Sequence, residues 1–164
     1  TLIVEPGLAA SYAVNDLRPA IFFISQSGVL TIHSSYVGSN FSRFGGLATD
    51  EMYLIRAECY ARAGQTAPAL KDLNTLLRNR YRAGTFTDLT AASADAALAL
   101  IIAERRKELC FRNLRWTDLR RLHNITLNRT VNGQVYTLPP NSPRYVLPLD
   151  PIETTTGGLA QNPR

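Results

Sequence analysis

The feature that most constrains this chain is a run with two start signals and two stop signals: "TDEMYLIRAECYARAGQTAPALKDLNTLLRNRYRAG". Thr49 or Asp50 can cap a first helix, acids follow in its first turn, and Gly64 stops it. Thr66 caps the next, Pro68 sits in the first turn where a missing N–H costs nothing, and Gly84 closes the run. Leu70, Leu73, Leu77 and Tyr81 recur at helical spacing, with Leu76 beside them, so two helices must fold back on each other.

Tyr53, Ala57, Tyr60, Gly64, Ala69, Leu73 and Leu76 fall at the offsets of a tetratricopeptide unit. Small residues at Ala57 and Ala69 allow close approach of the helices, and larger ones fill the groove beside them. A lone unit of this kind cannot bury its apolar faces, and no second clean copy occurs. The expectation is therefore a chain of 164 residues that forms part of a larger protein, since its opening "TLIVEPG" reads as the middle of a domain. No signal-type leader is present, and the longest purely apolar run, Ala96 to Ala103, is far shorter than the roughly 20 residues that span a bilayer. Taken alone, the chain is expected to be soluble.

Upstream, "IFFISQSGVLTI" predicts a β-hairpin of Ile21 to Ile24 with Val29 to Ile32 around a Ser/Gly turn. Ser34 to Gly46, glycine-rich with aromatics, predicts a long irregular loop. Downstream, Ser93 caps a third helix through "ADAALALIIAERRKELCF", and "RWTDLRRL" forms a short fourth. The tail "QVYTLPPNSPRYVLPLDPIE" reads as two strand-like runs broken by prolines. The predicted fold is mainly α: tetratricopeptide-like helical hairpins with irregular loops, an N-terminal β-hairpin and a proline-rich β-type C-terminal tail. Residues 1–164 read as a single domain, divided into hairpin and loop (1–48), helical core (49–123) and tail (124–164).

The stretch "IIAERRKELCFRNLRWTDLRRL" asks whether the chain grips nucleic acid. Net charge is +5, and 16 of the 18 basic residues are arginine, whose planar fork suits carboxylates as well as phosphates. Three acids interleave seven bases here, unlike an unpaired basic face. Leu98, Ile101, Ile102, Arg105 and Leu109 share one stripe, so Arg105 faces protein and needs a carboxylate, with Glu51 and Glu58 the candidates. Glu104, Glu108, Lys107 and Arg112 are assigned to the solvent side, and Asp118 can pair with Arg115 and Arg121. On this reading Arg105→Ala destabilises severely and Arg112→Ala does little. Trp116, between Leu114 and Leu119, is expected in the core. Cys59 and Cys110 are expected as free thiols packed as small hydrophobes.

His33 and His123 are the only histidines, neither at metal-ligand spacing, and no GxSxG, HExxH or P-loop occurs. The reading is a non-enzyme with no cofactor, no metal and no nucleic-acid partner. Aromatic faces beside amide and guanidinium groups suit glycans. The loop residues Tyr36, Asn40 and Arg43, and the turn residues Tyr81, Arg82 and Phe86, are the candidate ligand contacts.

Four motifs in order, the helix pair from Leu47 to Gly84, "IIAERRKELCFRNLRWTDLRRL", "YVLPLDPIE" and the closing "QNPR", resemble the C-terminal part of the SusD/RagB family. These are outer-membrane nutrient-binding lipoproteins of Bacteroidetes. "NDLR" before Phe22 is similar to the section that precedes them there. The resemblance implies a helical fold with a ligand surface on irregular loops. It implies a non-catalytic protein that binds oligosaccharide or peptide and hands it to a SusC-like, TonB-dependent transporter. It also implies a cell-surface location through a lipid anchor on an N-terminal cysteine that this chain does not contain. The alternative is a tetratricopeptide-type adaptor binding protein segments in a helical groove.

Overall fold

The computed structural model describes residues 2–33, 44–122 and 125–163, and its contacts divide into two compact units, Thr1–Leu114 and Arg115–Arg164. It is mainly helical with small antiparallel hairpins, the class the sequence predicts.

The first unit is built on α3 (Thr49–Arg62), α4 (Thr66–Leu77) and α5 (Ala94–Glu108). Gly64 ends α3 at φ +75, where an L side chain would be strained. Its N–H donates to the Ala61 carbonyl at 3.0 Å and that of Gln65 to Tyr60 at 2.8 Å, the paired bonds of a Schellman stop. Ala57, Ala69, Leu54, Leu73, Leu77 and Ile101 are completely buried in one cluster, with Tyr53 and Tyr60 packed on its edge. Polar ties complement this packing. Arg56 grips Asp72 with two bonds of 2.6 and 2.8 Å, joining α3 to α4. Asn74 holds Leu89 by both its backbone groups, at 2.9 and 3.0 Å, fastening the loop after α4 onto the helix.

Several boundaries differ from the sequence reading, each for a local reason. Ala48 and Gln65 occupy the N-cap positions of α3 and α4, so Thr49, Asp50 and Thr66 lie inside the helices. Asp50 is committed to Arg112. α4 ends at Leu77, not near Gly84, because Arg80 and Arg82 turn to bond the backbone at Asn15 and Leu17. Gly84, at φ +74, closes a separate turn. Ser93 does cap α5, accepting from Ala96 N–H at 3.1 Å.

The N-terminal layer comprises α1 (Pro6–Ala10), α2 (Arg18–Phe22) and a hairpin of β1 (Phe23–Gln26) with β2 (Val29–Ile32). The predicted first strand is shifted by two residues, since Pro19 sets the first turn of α2 and carries helix through Phe22. Gln26 pairs with Val29 across Ser27 and Gly28, both at positive φ, which matches a tight two-residue hairpin. Residues 2–4 run along β2, Val4 N–H bonding Leu30 at 2.9 Å. Val4, Leu8 and Phe23 form a second, separate small core.

The second unit holds α6 (Arg115–Leu122), a hairpin of β3 (Leu127–Val131) with β4 (Gln134–Leu138), a 3₁₀ turn (Pro143–Tyr145) and α7 (Pro151–Thr155). The sequence reading found β4 but not β3, and expected a second strand-like run within the proline-broken tail. The overlooked signal is Asn132–Gly133, both at positive φ, the strongest short hairpin turn. Trp116 is not core: it is 39% exposed and lies on the Tyr145 ring at 5.0 Å between centroids.

Leu73→Ala should lower stability to denaturant by about 2–5 kcal/mol, because it leaves a cavity at the helix contact. Chemical denaturation followed by circular dichroism measures it.

Candidate functional site

The charged residues of α5 do not form a solvated face. Glu104 and Glu108, assigned by the sequence reading to solvent, are 6% and 1% exposed, and Arg105 and Lys107 are also buried. The reason is that α5 lies between partners on both sides: α3 and α4 on one flank, the N-terminal layer on the other. A helix covered on two flanks has room for only a narrow solvated strip.

Two clusters follow. In the first, Arg18 is 1% exposed and reaches Asp16 at 2.6 Å, Glu104 at 2.8 Å and Glu108 at 3.1 Å. Glu108 also accepts from Arg80 at 2.7 Å, and Glu104 pairs with Lys107. The Tyr12 ring lies under Arg18, and its hydroxyl donates to the Lys107 carbonyl at 2.8 Å. Burial would lower the Arg18 pKa, but the hydrogen bonds it donates to Asp16 and the charge of Glu104 outweigh it and hold it above its ordinary value. Burial pushes the Tyr12 hydroxyl up and the Cys110 thiol to about 11.

In the second, Arg112 reaches Asp50 at 3.3 Å, Glu51 at 3.2 Å and the Gly46 carbonyl at 2.8 Å, with Phe44 under its guanidinium. Arg105 meets Glu51 at 3.3 Å. Arg112 follows Phe111, held at φ +60, so a left-handed residue aims it back at α3. Helical periodicity cannot see this turn, which is why Arg112 was wrongly placed in solvent. Glu58 is held by Arg62 one turn along α3 at 2.8 Å. In the second unit, Asp118 accepts from Arg121 at 2.8 Å, and Arg115 opens α6, partly buried.

Of the candidate ligand residues, Tyr36, Asn40 and Arg43 lie outside the described residues. Tyr81 and Phe86 come together with ring centroids 5.0 Å apart, both partly buried against the main core, and Arg82 between them is exposed. A surface feature the sequence reading missed is a shallow depression of about 520 Å³ along α3, lined by Thr49, Met52, Tyr53, Ile55, Arg56 and Cys59. Ile55 is 42% exposed there, and Cys59 is exposed, not packed as a small hydrophobe. Among the described residues, no cluster of three or more acids, cysteines and histidines is set to hold a metal ion, and no helix is long and apolar enough to cross a membrane.

The family model described as the SusD family matches residues 49–155, from the start of α3 to the end of α7. The chain belongs to the SusD family. A SusD-like carbohydrate binding protein from Bacteroides vulgatus ATCC 8482 has a similar fold, with a TM-score of 0.63 and 21% identity over 93% of this chain. This chain spans 40% of that one. A SusD-like protein from Bacteroides fragilis NCTC 9343 matches 69% of this chain at 26% identity with a TM-score of 0.49, over 24% of its own length. No curated protein matches the chain. The matched segment includes α5 and the Arg105, Arg112 and Asp50 cluster, so this SusD-family scaffold is tied together by ion pairs as well as apolar packing.

Arg112→Ala should destabilise as severely as Arg105→Ala, each by about 3–5 kcal/mol, because each removes a buried cation from the shared pairing with the acids that open α3. Arg78→Ala, at a solvent-exposed pair with Asp88, should cost under about 1 kcal/mol. Thermal melts of the three variants check the ranking. In the folded protein at pH 8, iodoacetamide should modify Cys59 quickly and Cys110 slowly, since burial keeps the latter thiol protonated. Peptide mass spectrometry reads both sites.

Proposed function

We propose that this chain is part of a non-catalytic protein that captures an oligosaccharide or another nutrient at the cell surface. The whole protein is lipid-anchored in the outer membrane and passes its ligand to a SusC-like, TonB-dependent transporter. Membership of the SusD family over residues 49–155 is the observation that carries this reading. The helical scaffold supports it. Its buried charges are engaged in ion pairs that fix geometry, which suits a rigid frame presenting ligand contacts from loops and turns.

The turn bearing Tyr81, Arg82 and Phe86 is the ligand edge proposed here among the described residues. Two touching aromatic rings are fixed against the core, and an exposed guanidinium stands between them in sequence. That combination offers an apolar face and hydrogen-bond donors to a sugar. Titration calorimetry against oligosaccharide and peptide panels should give binding to an oligosaccharide. Arg82→Ala should weaken it several-fold without moving the melting temperature. A large outer-membrane barrel should copurify from native membranes. Absence of both binding and barrel overturns the reading.

The depression on α3 favours one second reading, an adaptor that receives a protein segment on its helices, because Met52 and Ile55 present apolar surface there at 56% and 42% exposure. Loss of a soluble protein partner on Met52→Glu, with glycan binding absent, would select it.

A further inference from the structure

The charges around Arg18 are arranged so that each side of a seam stays paired when the seam opens. On the N-terminal side, Arg18 keeps Asp16, bonded through Nε at 2.9 Å and through a terminal nitrogen at 2.6 Å. On the helical side, Glu108 keeps Arg80 at 2.7 Å, and Glu104 keeps Lys107 one turn along α5. Two bonds from Arg18, to Glu104 at 2.8 Å and to Glu108 at 3.1 Å, cross between ionic groups at this point. Parting the two sides therefore strands no bare charge, which is the usual reason a buried ion pair resists opening.

The apolar packing divides along the same line. Val4, Leu8 and Phe23 form their own cluster, which meets the end of α5 through Cys110 and Phe111, whereas the large cluster lies among α3, α4 and α5. Polar links across the seam include Leu17 N–H to the Arg80 carbonyl at 2.8 Å, Arg82 N–H to Asn15 at 3.1 Å, Tyr12 hydroxyl to Lys107 at 2.8 Å, and the exposed pair of Arg106 with Glu5 at 2.8 Å. Within the layer, residues 2–4 and the β1–β2 hairpin are bonded to each other, so they move as a unit.

We infer that residues 2–33 are a strap that opens as one piece while α3, α4 and α5 stay folded, with Arg18 as its clasp. Such sub-global opening is drawn from elements with few apolar contacts to the rest of a fold. Opening also frees the turn carrying Tyr81 and Phe86, because Asp16 bridges Tyr81 and Asn15 holds Arg82. The inference stands independently of which ligand, if any, that turn contacts.

Amide-resolved hydrogen–deuterium exchange in graded, sub-denaturing guanidinium tests it on the unmodified chain. The amides of Leu17 and Arg82, whose bonds cross the seam, should exchange through one shared opening that lies well below the opening of Leu73 and Ile101. Coincident opening of both sets would overturn the strap. Arg18→Gln should speed exchange at the first set by about a hundredfold or more, from the loss of a buried cation, and leave the second within a few-fold. Equal acceleration of both sets, or none at the first, would overturn the role of Arg18. The measurement on the unmodified chain decides the matter even if the variant does not fold.

Discussion

Guanidinium groups withdrawn from water along α5 govern much of this structure. Arg18 and Arg112 are 1% and 8% exposed, and each reaches two or more carboxylates, at least one of them from a segment far away in sequence. A buried cation has no cheap alternative: without acids it would lose several kcal/mol of solvation, so the segments bearing those acids must arrive together. Arg112 draws in Asp50, Glu51 and the Gly46 carbonyl and thereby fixes where α3 begins. Arg18 joins the N-terminal layer to the helices. Apolar packing supplies the cohesion of the helical core, while these pairs supply its register.

That division accounts for the acids interleaved with the arginine-rich stretch. Arg105, Arg106 and Arg112 each meet an acid of their own chain, and the acids come from residues far away in sequence. Arginine suits the task because its fork can serve two carboxylates in one plane, as Arg18 does with Asp16 and Glu104. The binding role proposed above gains from such rigidity, since ligand contacts must be held on turns and loops by the frame beneath them.

The helical hairpin was legible in the sequence because its signals are local. Gly64 at positive φ, Ala57 and Ala69 at the contact, and Ser93 as a cap depend on neighbours within one or two turns. The same locality made "ERRKEL" misleading. Periodicity allots one buried face to a helix, and α5 is covered on two flanks, so Glu104 and Glu108 were misplaced while Arg105 was not. Arg112 escaped because Phe111, at φ +60, breaks the helical count just before it. The β3–β4 hairpin could have been found from Asn132–Gly133 and was obscured by attention to the prolines beyond it. Of the candidate ligand edge, aromatic content was visible in sequence, but the contact of the Tyr81 and Phe86 rings was not.

Sequence by itself determined the long helices, the stop at Gly64, the family and the need of Arg105 for an acid, because capping, periodicity and turn chemistry act over a few residues. Tertiary structure alone decided which acids answered which arginines. Charge pairing depends on which segments meet in space, and Asp16 with Glu104 or Asp50 with Arg112 are brought together only by the folded chain.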